Sequence, residues 1–132
     1  MGNTVYGNGS HGIEMQNYAG DGTPIANLHL WNNTCVDNGG YGFYWGTASP
    51  TVDLLMDYNH THNNTSGVTD RTGGLPGDNN VTGDPLFTST TDGSEDFTPL
   101  TGSPLIGAGV RGAMIGAVAH ADGGGNDSVF GR

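Results

Sequence analysis

Apolar and polar positions alternate in short bursts along the first half of the chain, and the bursts recur. Asn3-Thr4-Val5-Tyr6-Gly7-Asn8-Gly9-Ser10-His11-Gly12-Ile13-Glu14-Met15 is echoed 30 residues later by Asn33-Thr34-Cys35-Val36-Asp37-Asn38-Gly39-Gly40-Tyr41-Gly42-Phe43-Tyr44-Trp45. The two copies share Asn, Thr, Asn, Gly and Gly at matching places, and set Val5 against Cys35, Ile13 against Phe43 and Met15 against Trp45. Ile13 and Met15 alternate with Glu14, which predicts a strand with the first two pointing inward and Glu14 outward. Residues 25–31 read as the next strand, with a corner at Asn32-Asn33, and residues 52–58 begin a third round. Leu28, Asn32 and Thr34 recur 27 residues on as Leu55, Asn59 and Thr61. That offset would bury Asp57. A slip of one residue would bury Leu54, Met56 and Tyr58 instead, and we prefer it because an unpaired buried carboxylate costs more than a local bulge.

A short apolar run, an Asn-Gly turn and a second alternating run make one coil of a chain that winds on itself, and a fixed period of this size marks a solenoid. The Asn38-Gly39-Gly40 turn supplies positive-φ positions for a sharp corner. Residues 16–24 and 46–50 are turn-rich connections, and between 60 and 83 the periodicity fades into Asn, Thr, Gly and Asp. We divide the chain into coils (1–68), an irregular loop (69–83), a closing module (84–120) and a Gly-rich tail (121–132).

The Asn-Asn-Thr…Asn-x-Gly…Gly coils resemble the right-handed parallel β-helix repeat of pectate-lyase-like proteins. Asp84-Pro85-Leu86-Phe87, Gly102-Ser103-Pro104-Leu105-Ile106-Gly107-Ala108-Gly109 and the Ile115-Gly116-Ala117 strand are similar to the module that finishes such helices at their C-terminal end. The resemblance implies an all-β fold, a short right-handed parallel β-helix of about three coils with a C-terminal closing module. In that family the fold hosts polysaccharide lyases, glycosidases, tailspikes and adhesins, so it does not by itself choose a function.

Composition sharpens this picture. Twenty-five glycines in 132 residues would suit a disordered chain, but such a chain has no reason to repeat Ile13/Phe43 and Met15/Trp45 in register. The formal charge is −10, with thirteen acids, three arginines (Arg71, Arg111, Arg132) and no lysine. Phosphate binding needs clustered cations, so nucleic acid is disfavoured as a partner, and anionic membranes for the same reason. The lone Cys35 replaces Val5 in the repeat and reads as a small core residue. No signal peptide or membrane span is visible, and the Asn-x-Ser/Thr triplets read as turns.

Candidate chemistry is sparse. His60 and His62 stand at the i, i+2 spacing that puts two imidazoles on one side of a strand, with Asp57 or Asp70 as a third metal ligand. Asp78, Asn80 and Thr82, with Gly83 at the sixth position and Asp84 behind it, make half of a calcium loop whose twelfth position is Ser89 instead of the completing Glu. No cofactor is expected beyond that possible Ca²⁺. Lyases of the resembled fold use an Arg or Lys as base, which singles out Arg71 next to Asp70, yet thirteen acids would repel a polyanionic sugar. A glycosidase pair would have to come from Glu14, Asp37, Asp53 or Asp57. Glu14 and Tyr44, at equivalent places on neighbouring coils, with His29 and Trp31, are candidates for a glycan-binding face.

The expected role is therefore structural or interactive. From Met1 the sequence reads as already inside a coil, with no helix or amphipathic cap expected in front of Val5, and an uncovered coil end exposes apolar strand edges that invite association. The concrete form is a virion decoration (cement) or appendage subunit, a homo-oligomer with a trimer favoured. It would lie on a virion or extracellular surface with its termini and Gly123-Gly124-Gly125 held by a neighbouring capsid protein. The alternative is the C-terminal portion of a polysaccharide lyase, glycoside hydrolase or glycan-binding adhesin.

Overall fold

A computed structural model describes residues 2–16, 23–46 and 51–116. It is all-β. The strands, in chain order, are β1 (Thr4–Tyr6), β2 (Ile13–Glu14), β3 (Ile25–Ala26), β4 (His29–Trp31), β5 (Thr34–Val36), β6 (Tyr41–Tyr44), β7 (Thr51–Val52), β8 (Leu55–Asp57), β9 (His60–His62), β10 (Gly67–Thr69), β11 (Val81–Thr82), β12 (Phe87–Ser89) and β13 (Asp96–Pro99). They form several small sheets. Four are parallel, in the orders β1-β5-β9-β11, β10-β6-β2, β3-β7 and β4-β8, while β12 and β13 form an antiparallel pair.

The chain returns to lay each strand beside its predecessor. Thr4 pairs with Thr34, Thr34 with His60 and His60 with Val81, so successive returns take 30, 26 and 21 residues. The first offset matches the repeat seen in the sequence, including Val5↔Cys35, Ile13↔Phe43 and Glu14↔Tyr44. The second is 26 and not 27: His29↔Leu55, Leu30↔Met56, Trp31↔Asp57. The one-residue slip is thus the register adopted. Met56 is buried, Leu54 packs on the core, Leu55 faces solvent, and Asp57 stays on the outer side. Tyr58 departs from the expectation, because it forms a corner with φ of 55° and is half-buried.

Two features make the corners. Left-handed backbone recurs in register, at Gly7, Asp37 and Asn63, at Asn32 and Tyr58, and at Asn27 and Asp53. Gly, Asn and Asp tolerate that region, which is why turn residues survive in the repeat. Asparagines also stack beside the corners. Asn3 donates to Asn33, Asn33 to Asn59 and Asn59 to Asn80; a second column runs Asn8, Asn38, Asn64. Each column satisfies amides that a tight polar corner would otherwise leave bare.

The apolar core follows the returns. In the middle layer Cys35, Phe43 and Trp45 are at most 1% exposed. Burying a ring such as that of Phe43 contributes roughly 2–3 kcal/mol. Residues 67–69, at the end of the expected coils, pair with β6 as β10, and the segment expected as an irregular loop holds order of its own, for Asn80 extends an asparagine column and β11 pairs with β9.

The segment read in the sequence as a closing module packs alongside the strands. It runs along the outer side of the β1-β5-β9-β11 sheet and does not sit only beyond the last strand. Phe97 packs on Tyr6 at 5.1 Å, the Gly116 N–H donates to the Asn32 carbonyl at 2.8 Å, and the Val110 N–H donates to Asn32 Oδ1 at 3.1 Å. The segment's own Leu105 and Ile115 are buried. Thr34, Val36 and His60 of the sheet are hidden as a result. The end of the module (117–120) and the Gly-rich tail (121–132) fall outside the described residues.

Candidate functional site

Arg71 and Asp70 flank Trp45. The guanidinium lies 5.5 Å from the Trp45 ring centre, and Asp70 Oδ1 accepts the Trp45 backbone N–H at 3.0 Å. Arg71 borders an open groove of about 340 Å³ whose other walls are Leu54, residues 72–76 and Trp45 itself. Trp45 is only 1% exposed, so its ring forms a floor already covered by the cation and offers little surface to a ligand.

The four carboxylates considered as a hydrolytic pair do not share a place. Glu14 is on β2, Asp37 and Asp53 are at separate left-handed corners, and Asp57 ends β8. Asp37 accepts the Asn63 amide. Asp57 accepts the Asn79 backbone N–H and side-chain amide, both at 2.8 Å, and the Tyr58 N–H at 3.0 Å. Desolvation is the largest single influence and opposes its charge, but the three donors together outweigh it and hold the carboxyl below its usual range.

The two histidines have separate fates. His60 is 0% exposed, with Nε2 2.8 Å from the Gly83 carbonyl. Burial pushes it down to about 4, against the opposing pull of that carbonyl. His62 is half-buried and lines a second groove of about 310 Å³ with Asn64, Val68 and Thr82. In the half-loop of Asp78, Asn80 and Thr82, Asn80 turns its oxygen to Asn59 and its amide to the carbonyls of Met56, Pro76 and Gly77. Asp84 accepts the Leu86 N–H. Among the described residues no three His, Cys, Asp or Glu side chains come together as a metal site.

The glycan-face candidates divide between two sheets. Tyr44 is in register with Glu14, and its ring stacks on His11 at 3.9 Å and 8° and on Tyr41 at 5.9 Å and 7°. His11 Nδ1 accepts the Tyr41 N–H at 2.9 Å. His29 and Trp31 stack at 5.7 Å on β4, beside Leu55 and Asp57 of β8. Trp31 is 41% and Leu55 49% exposed, so this is the more open apolar face. Sequence reasoning missed His11, Tyr41 and Leu55. The offset of 30 that aligns His11 with Tyr41 would have found the first two.

A last feature is the layer formed by β1 to β4. Each of these strands has a parallel partner on one side only among the described residues. Val5, Ile13, Ile25, Leu28 and Leu30 of this layer pack on the core yet are only partly buried, and the counterparts of Val5, Ile13 and Leu30, which are Cys35, Phe43 and Met56, are fully buried. No protein-family model matches the chain, and neither a curated protein nor a solved structure does.

Proposed function

We propose that the chain is a short right-handed parallel β-helix that serves as a non-enzymatic structural or interaction module, docked through its first layer onto a further parallel β coil of a larger assembly. One observation carries this reading: the first layer combines partly buried apolar side chains with four strands that, among the described residues, pair on one side only. A parallel coil is the shape that satisfies those edges and that apolar surface together. The concrete setting is a decoration or appendage subunit of a virion or extracellular surface, homo-oligomeric with a trimer favoured. The engagement of Arg71 with Trp45 and of Asp57 with Asn79 supports a non-catalytic role. Light scattering across a concentration series tests it. The wild-type chain should exceed the mass of one copy, and Ile13→Lys or Leu30→Lys should reduce it. A single-copy mass throughout, indifferent to both substitutions, would refute the reading.

A second reading, favoured by the exposure of Trp31 and Leu55, is a neutral-glycan-binding face on β4 and β8. The net charge of −10 argues against acidic glycans. Since Trp45 is buried, a neutral oligosaccharide should change the fluorescence of Trp31, and Trp31→Ala should abolish that change. No response to any neutral glycan of a panel would dismiss it.

A further inference from the structure

We propose that the seam between the β1-β5-β9-β11 sheet and the C-terminal segment holds one internal water molecule, bonded at once to the Thr34 hydroxyl and to Nδ1 of His60. Thr34 and His60 are register partners on adjacent parallel strands, so their side chains leave the sheet on the same face. Adjacent strands lie about 4.8 Å apart, a spacing that one bridging molecule can span between side-chain tips. Both residues are 0% exposed. The Thr34 hydroxyl and His60 Nδ1 are also the two fully buried side-chain polar atoms, among the described residues, that meet no hydrogen-bonding group of the protein.

The chemistry of the pair fixes what can sit there. His60 Nε2 lies 2.8 Å from the Gly83 carbonyl. A carbonyl only accepts, so Nε2 carries the proton and Nδ1 presents a bare lone pair. The ligand must therefore donate to Nδ1 while also bonding a hydroxyl. Room is tight: a Cβ built on Gly116 would stand 3.3 Å from Thr34 Oγ1 and 3.0 Å from Thr4 Oγ1. A metal ion is a poor fit, because one imidazole nitrogen and a neutral hydroxyl are too few ligands and no three His, Cys, Asp or Glu side chains come together among the described residues. Water is small, donates and accepts, and is the usual occupant of buried polar gaps. That two bare groups fall on cross-strand neighbours is what a shared ligand accounts for.

A high-resolution crystal structure of the full chain tests the proposal. A density peak within hydrogen-bonding distance of both Thr34 Oγ1 and His60 Nδ1 is expected, retained in Thr34→Ser and lost in Thr34→Val with the His60–Gly83 bond intact. In solution, imidazole ¹⁵N spectra should show the Nε2-protonated ring with a hydrogen-bonded Nδ1. Direct contact between the Thr34 hydroxyl and Nδ1 with no intervening density would overturn it. So would an empty gap, or an Nδ1 resonance typical of an unbonded nitrogen.

Discussion

Asn33 gives both its backbone N–H and its side-chain amide to a single oxygen, Oδ1 of Asn59, at 3.1 and 2.9 Å. Asn59 is 0% exposed, and its own amide donates to the Leu30 carbonyl at 2.8 Å. Truncation of this one side chain would leave several buried partners bare, each at about 1–3 kcal/mol. Asn59→Ala should therefore lower stability by about 3 kcal/mol or more in urea titrations. Asn8→Ala, at the exposed end of the other column, should remove about 1 kcal/mol or less.

Asp53 sits at an exposed corner with φ of 55°. A β-branched residue resists that conformation, whereas glycine adopts it freely. Asp53→Val should cost about 1–2 kcal/mol, and Asp53→Gly should leave thermal stability within about 0.5 kcal/mol. Equal losses for the two would show that the carboxylate, not the backbone, matters at this corner.

His60 makes stability depend on pH. Its folded value is about 4, against an ordinary value of 6.5, so between those limits the unfolded chain binds more protons than the folded one. Stability should be complete above pH 6.5, fall as the pH drops toward 4, and level off below as far as this group is concerned. The difference amounts to about 3 kcal/mol at most. Asp57 acts in a lower window: its folded value lies below 3.8, so its contribution is present above 3.8 and is lost as the pH falls through the folded value. Denaturation midpoints at pH 7, 5.5 and 4.5 isolate the histidine. A flat profile across that range would contradict its buried neutral state.

Cys35 is fully buried, and desolvation pushes its thiol up to about 12, only partly offset by the Ile13 backbone contact. The thiolate is the reactive form. In the folded chain at pH 8 a disulfide reagent should modify Cys35 at least tenfold more slowly than in urea. Comparable rates would place the thiol near solvent.

The first repeat was legible because both copies have the same length: Asn3/Asn33, Val5/Cys35, Ile13/Phe43 and Glu14/Tyr44 all obey one offset. The next was harder, since neighbouring asparagines at 32 and 33 align equally well with Asn59, and only the cost of burying Asp57 separated 26 from 27. The return to Val81 was not legible, because its connection is shorter and composed of turn residues. Nor was the course of residues 84–116, whose contacts with Tyr6 and Asn32 depend on tertiary packing that no local period records. The aromatic candidates were named individually, but a linear period does not tell that a corner sends Trp31 and Tyr44 to different sheets.

In both asparagine columns the bonds from one asparagine to the next run in one sense, each giving to the oxygen of the later layer. The molecule is consequently polar along its length, as a magnet is. Two copies brought together by their leading faces would set oxygen against oxygen across a twofold axis. A neighbour that prolongs these columns must arrive with its nitrogens foremost, which a mirror pair cannot supply.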